Sequence, residues 1–235
     1  MTQVANVNTC SCAAGPALEG MNITSGMRAA KGAVEDVHIG PEGIRLDVIG
    51  GDEPHGLCGS GILAVVRELV RNGLVTRRGA FAKPEDFEVG DYRRDILRYN
   101  GTKREALLYS SGETELLVTQ SDVRQVQLAK GAIRSGIEVL LSHGGLTYED
   151  IDKVLIAGQF GAHLPAESLL QIGLLPPVTE DKLAYAGNSA KSGAVAALLS
   201  DEVKKEMEDL AKHIQYIELG SSDNYERLFA KCLLF

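Results

Sequence analysis

Lys153-Val154-Leu155-Ile156-Ala157-Gly158-Gln159-Phe160-Gly161 is an apolar run that ends in a glycine-bracketed turn. Further along, Leu183-Ala184-Tyr185-Ala186-Gly187-Asn188-Ser189-Ala190 repeats the plan: a strand, a glycine, a small polar group, then a helix. The first run reads as a buried strand followed by a short helix over Ala166–Gln171. The second reads as a strand followed by the small-residue helix Ala190–Leu199. In open α/β sheets ligands bind beyond the carboxyl ends of the strands. A glycine at such a tip removes the side chain that would keep a ligand's flat face or phosphates away from the backbone amides. Gly158, Gln159, Phe160 and Gly161, with Gly187, Asn188 and Ser189, are therefore candidate nucleotide-binding residues. Ordinary strand-to-helix connections also use glycine, and neither turn is a P-loop or a GxGxxG fingerprint. The spacing by itself stops at a candidate pocket.

Outward from these turns, Ser121 is positioned to cap a long helix that runs to about Ser142, with Val123, Val126, Ile133, Ile137 and Leu140 facing inward. Gln127, Lys130 and Arg134 share its opposite face. That polar stripe suits either hydrogen bonding to a ribose and an adenine edge or plain solvation. Toward the C-terminus a charged helix is expected over Asp201 to about Lys212, then a strand from Ile214 to Leu219 and a last helix from Ser222 to Leu233.

Toward the N-terminus, Pro16 suits the first turn of a short helix and Gly20 its exit. Ala33–Ile39 and Ile44–Ile49 alternate about Gly40-Pro41-Glu42-Gly43, a hairpin signal. Gly59-Ser60-Gly61 opens a helix whose Ile62, Val65, Val66, Leu69 and Val70 form one face, ended by Gly73. That glycine-rich start suits an anion, and equally a helix packed tightly on a strand. Residues 76–112, with mixed charge, read as an irregular insertion or a pair of edge strands. Alternating strands and helices give an α/β class: a mixed, mainly parallel sheet covered by helices, with an added hairpin and an insertion over about 76–115.

With 235 residues, 44% hydrophobic and 24% charged, the chain is long enough for a real core. The net charge of −8, with no basic cluster, argues against nucleic acid or an anionic membrane as main partner. No apolar run approaches a bilayer span, and Met1-Thr2-Gln3 lacks the basic start of a signal peptide, so the default expectation is cytoplasmic. The four cysteines read as reduced thiols. Cys10 and Cys12 are expected on opposite sides of their segment and poorly placed to bond each other. Cys10, Cys12 and Cys58 lack an evident fourth ligand, the five histidines show no ligand spacing, and no metal site is expected.

The run Cys10-Ser11-Cys12-Ala13-Ala14-Gly15-Pro16-Ala17-Leu18-Glu19-Gly20, with Gly26-Met27-Arg28-Ala29 and Gly56-Leu57-Cys58-Gly59-Ser60-Gly61, resembles the reductive activators of corrinoid proteins. So do Gln120 to Gly136, Ala157 to Gly161, Ile172-Gly173-Leu174-Leu175-Pro176-Pro177 and Gly187-Asn188-Ser189-Ala190, in the same order along nearly the whole chain. The resemblance implies an actin-like, ribonuclease H-like ATPase lobe, related to acetate and sugar kinases and heat-shock chaperones. Such activators use ATP to drive electrons from an iron–sulfur cluster onto a cobalt(II) corrinoid and restore cobalt(I). It implies that Ala157–Gly161 is the adenosine motif, that Gly187–Ala190 is the second connecting motif, and that Gln127, Lys130 and Arg134 lie against adenosine. It also implies roles for Gly15, Gly59, Ser60 and Gly61 at the nucleotide and for Ser11 at the corrinoid. ATP with Mg²⁺ would be the cofactor and a corrinoid protein of a methyltransferase system the partner; whether the chain forms a homodimer stays open.

The family's acidic phosphate-binding hairpins have no counterpart here, since the nine residues before Cys10 contain no Asp or Glu. Its ferredoxin-like domain, which carries the 2Fe–2S cluster, is also missing. The chain is thus expected to be the C-terminal half of a larger activator, lacking the phosphate-motif carboxylates, and no catalytic residue is assigned in it. Two other readings stay open: an iron–sulfur activator of the 2-hydroxyacyl-CoA dehydratase type using Cys10, Cys12 or Cys58, and a non-enzymatic docking module.

Overall fold

Alternating apolar residues over 33–48 and a one-faced apolar stripe over 59–71 build the core, because each buries its face against the other. The computed structural model describes residues 7–51, 53–112, 114–158, 161 and 164–235. The strands are β1 (Val7–Thr9), β2 (Ala33–Gly40), β3 (Gly43–Val48), β4 (Gly56–Leu57), β5 (Leu97–Asn100), β6 (Lys103–Ser111), β7 (Thr114–Thr119), β8 (Val154–Ala157), β9 (Leu183–Gly187) and β10 (Ile214–Tyr216). The helices are α1 (Gly59–Arg71), α2 (Tyr92–Ile96), α3 (Gln120–Gly144), α4 (Ala166–Gln171), α5 (Ser189–Leu199), α6 (Asp201–Lys212) and α7 (Tyr225–Cys232). A one-turn 3-10 segment, Ala17–Glu19, follows Pro16 and ends at Gly20 in the left-handed region.

The α/β reading holds, with the strands divided among four small sheets in the described residues. β3-β2-β4 and β5-β6-β7 carry antiparallel pairs, whereas β1–β10 and β8–β9 are parallel pairs. Val34, Val37 and Ile39 of β2 are buried beneath Ile62, Leu63, Val66 and Leu69 of α1. The expected hairpin and the first helix thus form where the pattern places them.

Several expectations are refined or corrected. Of the two readings of residues 76–112 the strand pair holds and the irregular one does not: after a short 3-10 turn and α2, β5 and β6 form an antiparallel pair that β7 extends to a three-stranded meander. The long helix is capped by Thr119 rather than Ser121. The Thr119 side chain accepts from the Asp122 amide at 3.3 Å and Asp122 accepts from the Thr119 amide at 2.8 Å, a reciprocal capping box. β8 is not a buried strand, because its side chains alternate between half-buried and exposed and Leu155 is 66% exposed. At the C-terminus the last strand is shorter than expected, and α7 begins at Tyr225.

α1 carries a buried ionic cluster. Arg67 is 2% exposed and donates to Glu68 (3.1 Å), Ser168 (3.0 Å), Asp36 (3.1 Å) and the Val37 carbonyl (2.9 Å). Glu68, fully buried, also accepts from the Ile39 amide and from Arg71. One guanidinium thereby ties β2, α1 and α4 together. Removing it takes from buried Glu68 one of its two guanidinium partners and from Asp36, Ser168 and the Val37 carbonyl their shared donor, so Arg67→Ala is expected to lower unfolding free energy by roughly 3 kcal/mol, read as a drop in the urea midpoint.

Candidate functional site

The two glycine-tipped strands lie side by side. β8 pairs with β9 in parallel, Val154 opposite Leu183 and Ala157 opposite Gly187, with a register shift after Ile156. With Ala157 opposite Gly187, Gly158 lies one position past it on the neighbouring strand, and the Gly158 amide donates to the Gly187 carbonyl at 2.8 Å. Gly158 (φ +101°) and Gly187 (φ +60°) both occupy the left-handed region that side chains disfavour. Among the described residues, a Cβ built at either would meet nothing within 4 Å. Backbone shape, not crowding by those residues, therefore demands glycine at the tips. Beyond Gly187, Asn188 caps α5 by accepting from the Lys191 amide at 3.0 Å, and Ser189 is exposed beside it. Gln159 and Phe160 lie outside the described residues. Gly158 and Gly161 line an apolar cleft of about 580 Å³ with Leu18, Ile133, Ile156 and Leu175.

The helical stripe is neither solvated nor open. Gln127 and Lys130 are 3% and 2% exposed. Gln127 donates to the Leu233 carbonyl at 2.9 Å, and Lys130 donates to the Leu234 carbonyl, with its ammonium 5.5 Å from the centre of the Phe235 ring. Arg134 binds Glu138 (2.6 Å), the Tyr148 hydroxyl (2.9 Å) and the Leu175 carbonyl. Residues 233–235 thus lie over the stripe. Lys130 and Arg134 line a second cleft of about 320 Å³ with Arg77, Gly173, Lys231 and Phe235, separate from the one at the strand tips. The segment Gly173–Leu175 runs between the two, with Gly173 on the cationic side and Leu175 on the apolar side. Burial pulls the Lys130 ammonium down to about 8. Burial also opposes the Arg134 charge, but its bonds to Glu138 and Tyr148 outweigh that and raise it.

Gly59, Ser60 and Gly61 are buried, and a Cβ at Gly61 would collide with the Val34 carbonyl. These glycines serve close packing of α1 on β2, the second of the two uses expected of them. Ser60 lies 3.3 Å from the Cys58 thiol, which donates to the Val34 carbonyl at 3.2 Å. Gly15 (φ +67°) and Ser11 are exposed on the loop after β1, and that loop leads into Leu18 at the cleft. One grouping was not legible in the histidine spacing. Asp36, His38 and Asp47 on the β2–β3 hairpin bring ligand-type atoms within 4.8 Å of one another. Asp36 faces Asp47 across the hairpin and shares a strand face with His38, a signal that pairing the two strands would have given. Asp36 is already bonded to Arg67, so the cluster is accounted for as an ionic rim to the core.

Residues 2–235 match the family model described as the C-terminal domain of RACo, the ASKHA domain. The chain belongs to this family. Its fold is accordingly that of an actin-like ASKHA domain, and the two glycine tips are those of an ASKHA sheet. A corrinoid activation enzyme, RamQ, from Eubacterium limosum is 34% identical over 229 residues, 96% of this chain and 39% of the relative. A [Co(II) methylated amine-specific corrinoid protein] reductase from Methanosarcina barkeri is 26% identical over 94% of this chain and 41% of its own length. Among solved structures, a reductive activator for a corrinoid, iron–sulfur protein superposes with a TM-score of 0.83 at 33% identity, over 96% of this chain and 36% of that one. The chain therefore spans about two fifths of the curated relatives it matches.

The buried Lys130 gives a pH signature for this ASKHA domain. Its proton is held more weakly in the folded state, at about 8, than at the ordinary 10.5. Between those values the unfolded chain binds more protons, so this group's contribution to stability rises with pH. The ammonium's burial cost is in full force below about 8 and is relieved as the pH approaches 10.5. Urea unfolding of wild type and Lys130→Met across that range should show wild type gaining on the variant, on the order of 2–3 kcal/mol. A difference flat with pH would show that the ammonium is not desolvated.

Proposed function

We propose that this chain is the nucleotide-binding C-terminal part of an ATP-dependent reductive activator that returns cobalt(II) corrinoid proteins to cobalt(I). The observation that carries the reading is the pair of left-handed glycines at neighbouring tips of adjacent parallel strands, uncrowded by the described residues, in a chain of the RACo family. The names of the relatives supply the direction of the chemistry: activation or reduction of corrinoid proteins. The partner we infer is a corrinoid protein, the compartment the cytoplasm.

The residues present fit a nucleoside. A purine ring or ribose laid across Gly158 and Gly187 meets main chain with no Cβ in the way, and Asn188 and Ser189 are exposed at the same edge. ATP would supply the free energy of phosphoryl transfer; this chain's part is to hold and orient the adenosine end. Among the described residues the lining of the strand-tip cleft contains no carboxylate, so on this reading the residues that would position Mg²⁺ and water come from another part of the activator. An iron–sulfur cluster does not fit these thiols either. Cys58 is buried against β2 and Cys232 is buried on α7, which leaves only Cys10 and Cys12 near each other. The cluster is placed, on this reading, in the part of the longer protein that precedes the ASKHA domain.

That longer part also accounts for a feature of the fold. In α5 no residue is buried, although it is almost wholly apolar or small, and Leu198 and Leu199 are 84% and 79% exposed. Helices that are hydrophobic all round belong inside a protein, and patches of this kind mark surfaces that something covers. The remaining three fifths of the activator is the cover we infer for α5 and the outer face of β8.

The purified 235-residue chain is expected to bind ATP weakly and not to hydrolyse it. In the longer activator, Gly158→Val forces a β-branched residue into a left-handed backbone, at a strain of about 1–3 kcal/mol. Calorimetric ATP affinity should fall by roughly tenfold or more. Robust ATP turnover by the isolated chain, unaffected by Gly158→Val, would overturn the reading. Ser11 is the proposed contact to the corrinoid protein. Ser11→Ala in the longer activator should slow cobalt(II) reduction, and an unchanged rate would remove that contact.

A further inference from the structure

The structure brings Cys10 and Cys12 together. A Cβ placed on Gly136, in the middle of α3, would collide with the Cys12 sulfur, and the Cys10 sulfur lies 3.2 Å from the same point. Both thiols thus occupy one notch, left open because position 136 has no side chain. The expectation that they face apart is wrong for a plain reason: residues two apart in an extended chain share a face. Beyond β1 the chain also bends, with the Ala14 amide donating to the Cys12 carbonyl at 2.9 Å. Both cysteines are half-buried, whereas Ser11 between them is exposed. Burial and the neighbouring Cys10 push the Cys12 thiol up to about 11, so at neutral pH it is protonated. Leu219 closes the notch at 3.8 Å from the Gly136 position, and the Tyr216 hydroxyl, paired with Glu218, feels both sulfurs. The other two thiols are differently placed: Cys58 is buried and hydrogen-bonded to Val34, and Cys232 is buried on α7.

We propose that Cys10 and Cys12 form a redox-responsive dithiol, which closes to an intramolecular disulfide when it meets a low-molecular-weight disulfide. In the reaction one cysteine thiolate attacks the disulfide and releases one small thiol. The second cysteine then attacks the mixed disulfide and releases the other. Two S–H bonds of the protein are lost and one S–S bond forms. The two electrons and two protons leave on the small-molecule thiols. A bridge between residues two apart closes a short ring at the surface, the labile and readily reduced kind of disulfide. It would fix the backbone on both sides of Ser11, so the exposed residue between the sulfurs becomes a rigid tip in the oxidised form and a mobile one in the reduced form.

The test uses the folded chain as it is, incubated with oxidised glutathione, then alkylated under denaturing conditions, digested with trypsin and weighed. The tryptic peptide ending at Arg28 contains Cys10 and Cys12 and no other cysteine. It should be lighter by two hydrogens and unalkylated, with two of the four thiols lost, and dithiothreitol should restore both. Cys12→Ser should instead carry one glutathione on Cys10. The proposal is overturned if the wild-type peptide carries glutathione adducts, if it stays fully alkylatable while glutathione disulfide is in excess, or if either cysteine is found bridged to Cys58 or Cys232.

Discussion

One main-chain hydrogen bond, from the Gly158 amide to the Gly187 carbonyl, holds the strand tips on which the nucleotide reading rests. It closes a parallel pair whose register slips by one residue immediately before the tips. A slip of this kind re-aims the strand that contains it, and here the additional residue is Ala186. Without it Ala157 would face Ala186 and Gly158 would face Gly187; the slip instead sets Gly187 opposite Ala157, with Gly158 one position further on. The shelf is therefore a product of pairing geometry. Glycine is required by the turn of the backbone, since no described residue crowds the Cβ position at either tip.

The chain is unevenly buried, and the unevenness follows the division between its two parts. The apolar core draws on residues from Ala17 to Leu175, where helix, hairpin and meander cover one another. From Leu183 to Tyr216 hardly any side chain reaches that core. α5 and α6 pack on each other, and β9 and β10 attach to the rest through single parallel pairings. In isolation such a segment is held mainly by backbone hydrogen bonds, which contribute little net stability compared with apolar burial. Its exposed leucines make sense as one side of a larger interface, in keeping with relatives more than twice as long as this chain.

Much of the fold was legible because its punctuation is local. Gly20, Gly73 and the 40–43 turn end elements where the structure ends them, and the α1 stripe is unbroken. The meander of β5, β6 and β7 was hidden by its own charges. Arg98 bonds Glu105 at 2.8 Å and Glu115 at 2.6 Å across three strands, so residues that read as loop polarity are a cross-strand ladder on the outer face. Leu97, Ala106, Leu108, Leu116 and Val118 fill the inner face. Thr119 was missed as a cap because Ser121 stands nearby; the deciding residue is Asp122, which completes the box and also accepts from the Thr24 amide at 2.8 Å. The candidate site was legible at the strand tips, where sequence and backbone shape coincide. It was not legible along Gln127, Lys130 and Arg134, since polarity on one helix face says nothing about a segment a hundred residues later that lies across it.

The two ends of the proposed function are joined by a continuous piece of chain. From Gly187 the backbone enters the Asn188 cap and α5, turns at Ser200 into α6, and leaves through β10. β10 runs parallel to β1, with Tyr216 opposite Thr9 and the Ile217 amide donating to the Thr9 carbonyl at 2.8 Å. The next residue after Thr9 is Cys10, first of the three that present Ser11. The strand tips proposed to hold the nucleotide and the loop proposed to meet the corrinoid protein are therefore the two ends of one α5–α6–β10 connection, whose ends are held by the β8–β9 and β1–β10 pairings. A segment held in that way moves as a unit when either end is displaced, because it has few side-chain contacts of its own to resist. If the nucleotide and the corrinoid protein bind where proposed, this segment is the covalent link between them. Its helix α5 presents mostly small residues, Ala190, Gly193, Ala194, Ala196 and Ala197, a surface of low relief for whatever part of the longer protein covers it.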